Sequence, residues 1–257
     1  MNFEGGQEMI APAAEGHLRP DRRASTRLKA GMAGGLWILL IASGIFAELF
    51  VRSTLIVGGD ATATATNILA SEQLFRLGIV ADLVSAGAYI GTTLLLYDLF
   101  RPVNPSMSLF AALLGVAGSV IMIVNLPNLL GALLYLQDAT AQAAFGVEQG
   151  QALAMLSLRF HALGYTMSII VFAAHLLLLG CLVLRSTLLP RMLGALLVIA
   201  CLCWWTNSVV VILLPSFAGN LYPYILLPSL VAEGGMALWL LVMGVNAEAW
   251  GTSEVDQ

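Results

Sequence analysis

Residues 31–56, GMAGGLWILLIASGIFAELFVRSTLI, decide the fold. A helix crossing a hydrocarbon core needs roughly 20 mostly apolar residues. This stretch meets that length and carries only two charges, Glu48 and Arg52. They stand four apart, so on a helix they share one face. Ionisable groups at membrane depth are costly and usually face a bundle interior, where they pair. One stretch therefore gives both a membrane span and a candidate site.

Five further runs read the same way. With the first they give spans at 31–56, 73–100, 107–136, 153–184, 190–214 and 223–246. The chain is 59% hydrophobic and 10% charged, with a mean hydropathy of +0.90. Soluble domains carry about a quarter charged residues. The expected fold is all-α, a polytopic transmembrane bundle of six spans in one domain over residues 30–248. Residues 1–29 read as a disordered basic tail without the apolar core of a secretory signal. Residues 249–257 read as a short acidic tail.

Orientation follows from Lys and Arg near the span ends. Arg19, Arg22, Arg23, Arg27 and Lys29 precede the first span, Arg101 lies in the second connection, and Arg185 and Arg191 flank the fourth. The first, third and fifth connections contain no Lys or Arg. Both termini are thus expected in the cytoplasm, with the odd connections outside.

The connections carry their own signals. In the first, Gly58 and Gly59 end a helix and Asp60 or Thr62 caps a segment that is either extended or a short helix. Pro102 and Pro105 turn the second, with Asn104 and Ser106 as capping candidates. The third, 136–151, reads as an interfacial helix running into span four, which leaves the depth of Arg159 and His161 open. Pro190 starts span five. Tyr222 and Tyr224 suit a membrane boundary. Cys181, Cys201 and Cys203 fall within the expected spans without a C-x-x-C and read as packing residues. Phosphate-loop, nucleophile-elbow, zincin and dinucleotide fingerprints are missing from the sequence.

Depth can be counted at about 1.5 Å per residue from the outer span ends. Arg52 and Arg76 then lie about 6 Å deep; Glu48, Asn128, Arg159 and Asn207 roughly 10–12 Å; Asp82, Asn125, His161 and Glu233 about 15 Å. The inner half is nearly bare apart from His175 and Asp98. These counts place ten residues in one outer pocket: Glu48, Arg52, Arg76, Asp82, Asn125, Asn128, Arg159, His161, Asn207 and Glu233. Three arginines balance three carboxylates. Arg76 and Asp82 point to nearly opposite sides of their helix, as do Arg159 and His161. Pro127 between the two asparagines frees a backbone carbonyl one turn earlier and is expected to kink span three.

Three readings of the pocket stand side by side. The first is binding or transport of a small polar or anionic molecule, which the arginines would suit. The second is a membrane enzyme acting on a lipid or isoprenoid, with His161 and a carboxylate as acid and base. The third is a structural or assembly subunit whose buried charges only fix helix packing. Metal is not expected: His161 and His175 lie about 21 Å apart on one helix, and the arginines would repel a cation. No cofactor and no nucleic acid is expected. The partners are the lipid bilayer and a small-molecule ligand.

Several pieces resemble one family of bacterial membrane proteins, the domain-of-unknown-function family 4386. They are GGDATATATNILASEQLFRLGIVADL at 58–83, YDLFRPVN at 97–104, FHALGY at 160–165, HLLLLGCLVLRSTLLPRMLGALL at 175–197 and EGGMALWLLVMGV at 233–245. The resemblance covers roughly residues 30–246 and implies a bacterial multi-span protein with these helices as its shared core. Asp60, Asn67, Arg76, Asp82, His161, Tyr165, His175 and Glu233 lie within the matching pieces. The resemblance assigns no catalytic role.

Overall fold

The structure is a computed structural model that describes residues 20–221 and 224–246. The expectations for residues 1–19, for Tyr222 and for the acidic tail lie outside the described residues. Among the described residues the chain is helical, without a strand. Six helical segments are long and apolar enough to cross a membrane: Ala24–Leu55, Glu72–Phe100, Pro105–Gln137, Val147–Arg185, Arg191–Leu213 and Tyr224–Val242. The protein is a multi-pass helical membrane protein.

The first span is α1 (Pro20–Ile45), which continues through a π-helical stretch, Phe46–Arg52, into the single turn α2 (Ser53–Leu55). Residues 20–29 are therefore helical, against the disorder expected from their polarity. Proline at the first turn and Ala, Leu, Lys and Arg behind it favour the helix, and Lys29 reaches Asp98 at 2.6 Å. The first connection folds as α3 (Ala61–Ala70). Gly59 takes a φ of 83°, the left-handed turn that glycine tolerates, and Asp60 caps α3 by accepting from the Ala63 amide at 2.8 Å.

The second span is α4 (Glu72–Phe100). The third is α5 (Pro105–Asn125), capped by Asn104, followed across Leu126 by α6 (Pro127–Gln137). The break falls at Pro127, as its missing amide requires; the Leu126 amide turns to the Ile123 carbonyl instead. A separate short helix, α7 (Ala139–Phe145), precedes the fourth span α8 (Val147–Arg185). The fourth span thus starts six residues earlier than the sequence pattern suggests. The fifth and sixth are α9 (Arg191–Leu213) and α11 (Leu227–Val242), joined by α10 (Pro215–Leu221) and a 3-10 turn at Tyr224–Leu226.

The spans form a closed ring in chain order. α1 packs on α4, α4 on α5, α5 on α8, α8 on α9, α9 on α11, and α11 returns to α1. Glycine makes the closing contacts short. A Cβ on Gly34 would lie 2.5 Å from the Leu241 amide nitrogen, and Gly180 and Gly194 meet across α8 and α9 in the same way. Small residues let membrane helices approach closely where no hydrophobic effect drives them together. Large apolar side chains such as Leu94, Phe110, Leu113, Val124 and Leu238 point outward, as lipid-facing residues do.

The core has two parts. The larger runs through all six spans and contains Trp37, Tyr89, Phe172, Leu197 and Met236. The smaller, with Val51, Ile68, Phe75, Leu129 and Leu158, is built by the first four spans and α3. One end of the bundle carries Arg27, Lys29, Arg101, Arg185 and Arg191 and is called the basic end; α3 covers the opposite, capped end.

Gly34→Ala is expected to destabilise the bundle by about 1–3 kcal/mol, because overpacking forces α1 off the α11 backbone. Gly31→Ala, with open space around it, is expected to be neutral. Thermal unfolding of both variants in one detergent checks the contrast.

Candidate functional site

A polar layer separates the two cores. Arg52, at the end of the π-helical stretch, is 9% exposed and points to α4. Its Nη1 donates to Asp82 Oδ2 at 2.5 Å and its Nη2 to Asp82 Oδ1 at 3.3 Å. Asp82 is 1% exposed. Arg52 Nε donates to Glu48 Oε2 at 2.7 Å. The Glu48 side chain is 44% exposed, so one carboxylate of the pair is buried and the other is open. A π-helical turn displaces the chain by one residue and often marks a functional position. Here it precedes the guanidinium that joins α1 to α4.

Asn125, Asn128 and His161 form the neighbouring group. Asn125 Nδ2 donates to the His161 carbonyl at 2.8 Å and lies 3.1 Å from His161 Nδ1, while Asn128 Nδ2 donates to Asn125 Oδ1 at 2.9 Å. This pattern makes His161 Nδ1 an acceptor and places the ring proton on Nε2. Their spacing of three residues sets the two amides on one face, and Ser157 Oγ donates to the Asn128 carbonyl at 2.6 Å. Gly164 leaves room: a Cβ there would come within 2.5 Å of Asn125 Cγ. His161 thus bonds an amide, where an acid–base pair would need a carboxylate.

Glu233 stands apart from this layer. It accepts from Trp37 Nε1 at 3.3 Å and from Trp204 Nε1 at 3.2 Å, so α11 is tied to α1 and α9. Counted at 1.5 Å per residue, Glu233 lies roughly 14 Å along α11 from Val242, whereas His161 lies roughly 36 Å along α8 from Arg185. A hydrocarbon core is about 30 Å thick. Glu233 is therefore near mid-membrane and the Arg52 layer near the capped side. Counting inward from the span ends put both at one depth because it took every span to end at the same level; α8 runs for 39 residues and α11 for 16.

The remaining expected members fall elsewhere. Arg76 is exposed and pairs with Glu72 at 2.7 Å, and Gln137 bonds the other oxygen of that carboxylate. Arg159 is exposed on the face of α8 opposite the buried His161, as their spacing requires. Asn207 is half-buried and makes no hydrogen bond to these groups among the described residues. Three arginines against three carboxylates thus become one arginine, Arg52, against Glu48 and Asp82, with Glu233 held by indoles.

The sequence reading missed the aromatic partners and the inner half. Trp37 and Trp204 look like ordinary apolar residues in a span. Tyr89, Thr92 and Thr93 on α4 are buried, and their hydroxyls lack a hydrogen-bond partner. Spacing offered a signal: Asp82, Ser85, Tyr89, Thr93 and Tyr97 recur at three or four residues and so share one face of α4. The three cysteines are free. Among the described residues no three His, Cys, Asp or Glu side chains gather as a metal-binding set.

Fold and site together define the class, a polytopic helical membrane protein with a charged layer between two apolar cores. The family described as Domain of unknown function (DUF4386) matches residues 32–244, and the chain belongs to that family. No curated protein and no solved structure matches the chain.

Asp82→Ala is expected to cost about 3–5 kcal/mol, because it leaves the Arg52 charge buried without its main partner. Glu48→Gln is expected to cost less than about 1 kcal/mol, as for other half-exposed ion pairs. Denaturant or thermal unfolding in bicelles separates the two.

Proposed function

We propose that this protein binds or transports a small polar molecule at the Glu48–Arg52–Asp82 layer. It sits in a bacterial cytoplasmic membrane with the basic end inside and the capped end outside. The positive-inside rule supports this orientation, since Arg27, Lys29, Arg101, Arg185 and Arg191 gather at one end. The bacterial setting rests on the resemblance noted above.

One observation carries the reading. Arg52 and Asp82 are buried together, while Glu48 bonds the same guanidinium and remains 44% exposed at its side chain. Glu48 is the arm of the layer that a solute reaches. A structural clamp alone requires only Arg52 and Asp82. The ligand's charge follows from the partners. Arg52 is matched by two carboxylates, so the layer is formally negative by one. A solute with an amine or another positive group fits better than a simple anion. The inward-facing arginines that favoured an anion are reduced to one.

The test is a thermal-shift screen of purified protein against polyamines, amino acids, quaternary ammonium compounds and organic anions, followed by direct binding of any hit. Cationic or zwitterionic hits are expected, with affinity falling at least tenfold in Glu48→Gln while the variant keeps its melting temperature within a few degrees. Hits confined to anions would reverse the charge assignment. Unchanged binding in Glu48→Gln would leave the layer a structural clamp. Membrane-impermeant thiol labelling of Thr62→Cys and Thr187→Cys in whole cells checks the orientation; only Thr62→Cys is expected to react.

A further inference from the structure

We propose that a water site between Thr93, Ser108 and His175 links Glu233 to the basic end of the bundle, so that Glu233 takes up and releases a proton from that side. The site is independent of any ligand at Arg52.

The first observation is Glu233 itself. Its described partners are two neutral donors, the indoles of Trp37 on α1 and Trp204 on α9. From α4, Tyr89 comes within electrostatic range of the carboxylate. Among the described residues no Lys, Arg or His bonds Glu233. An ionised Glu233 thus lacks a cationic partner among the described residues, and a carboxyl at membrane depth commonly belongs to a proton path.

The second observation is the row of unpartnered hydroxyls. Tyr89 is 8% exposed, Thr92 3% and Thr93 1%, and none of their hydroxyls has a hydrogen-bond partner. Buried polar groups left unpaired by protein are commonly met by internal water. Below Tyr89 lies a cavity of about 10 Å³ lined by Thr93, Tyr97, Ser108 and His175 among apolar groups. That volume is about the room one water needs. Gly115 keeps the place open, since a Cβ there would lie 2.6 Å from Thr93 Oγ1 and 3.0 Å from His175 Nδ1.

The third observation sets the donors and acceptors. His175 Nδ1 lies 2.8 Å from the Ala111 carbonyl and donates to it, which leaves Nε2 as an acceptor. The His175 ring packs edge-on against Tyr89, with centroids 5.6 Å apart. Tyr89 thus stands between Glu233 and the cavity edge at His175, and the cavity continues past Thr93 and Ser108 to Tyr97, whose chain neighbour Asp98 bonds Lys29. Ser108 Oγ donates to the Tyr97 carbonyl at 3.0 Å and so holds the water as an acceptor; in the transfer, the water and the Thr93 and Tyr89 hydroxyls each accept one proton as they pass their own onward. One proton enters at the basic end, and one O–H bond forms on Glu233. Discharge reverses the same steps.

Trp37 and Trp204 report on Glu233 directly, because their N–H groups bond its oxygens. The experiment is stopped-flow tryptophan emission after a pH jump, on the full chain in liposomes without added solute. The expected result is a pH-dependent emission change in the wild type that is absent in Glu233→Gln. Thr93→Val and Ser108→Ala are expected to keep its amplitude but slow it at least tenfold. Trp37→Phe and Trp204→Phe should each remove part of the amplitude, which attributes the signal even if Glu233→Gln folds poorly. A change that persists in Glu233→Gln, or that ignores both tryptophan substitutions, overturns Glu233 as the proton site. Wild-type rates in both Thr93→Val and Ser108→Ala overturn the path.

Discussion

Arg52 and Asp82 form the contact that the other polar groups are arranged around. A guanidinium in an apolar bundle requires a carboxylate in hydrogen-bonding geometry, and Asp82 supplies both oxygens. Breaking such a pair strands a charge where water cannot reach it, which costs far more than the pair contributes against an apolar replacement. The pair therefore fixes the register of α1 against α4 more than it adds stability. The guanidinium divides its donors: Nε goes to Glu48, four residues earlier in the π-helical stretch, while Nη1 and Nη2 face Asp82.

The two apolar cores are a consequence of that layer. Above it, the first four spans and α3 close around Phe75, Ile68 and Leu129. Below it, all six spans join around Trp37, Phe172 and Met236. The fifth and sixth spans are shorter and contribute no buried residue to the upper core. Glu233 belongs to the lower core, where it ties α11 to α1 and α9 through indole donors. One bundle thus holds two polar sites with different partners: charged ones at the layer, neutral ones at mid-depth.

Much of the candidate site was legible because helical spacing is local. Glu48 and Arg52 pair as residues four apart do, Asn125 and Asn128 bond as residues three apart do, and Arg159 faces away from His161 at the angle that two residues impose. The Pro127 break and the Asp60 and Asn104 caps are equally local. Depth was not legible, because it depends on where each span ends relative to its neighbours. Arg76 looked like a member of the pocket and is tied instead to Glu72, one turn before it. The tryptophans on Glu233 come from positions 196 and 29 residues away in the chain, and no periodicity links them.

The sequence by itself determined a six-span helical membrane protein, its breaks and caps, and which residues share a face of each helix. These follow from hydropathy, proline chemistry and the 3.6-residue turn, which act within one segment. Only the tertiary structure decided that the spans close into a ring in chain order, that Arg52 is the one arginine of the polar layer, and that Glu233 lies at another level among indoles. Those outcomes depend on how far each helix runs and on where glycines such as Gly34, Gly115 and Gly180 let neighbours approach. Such contacts exist only between segments, and no single segment encodes them.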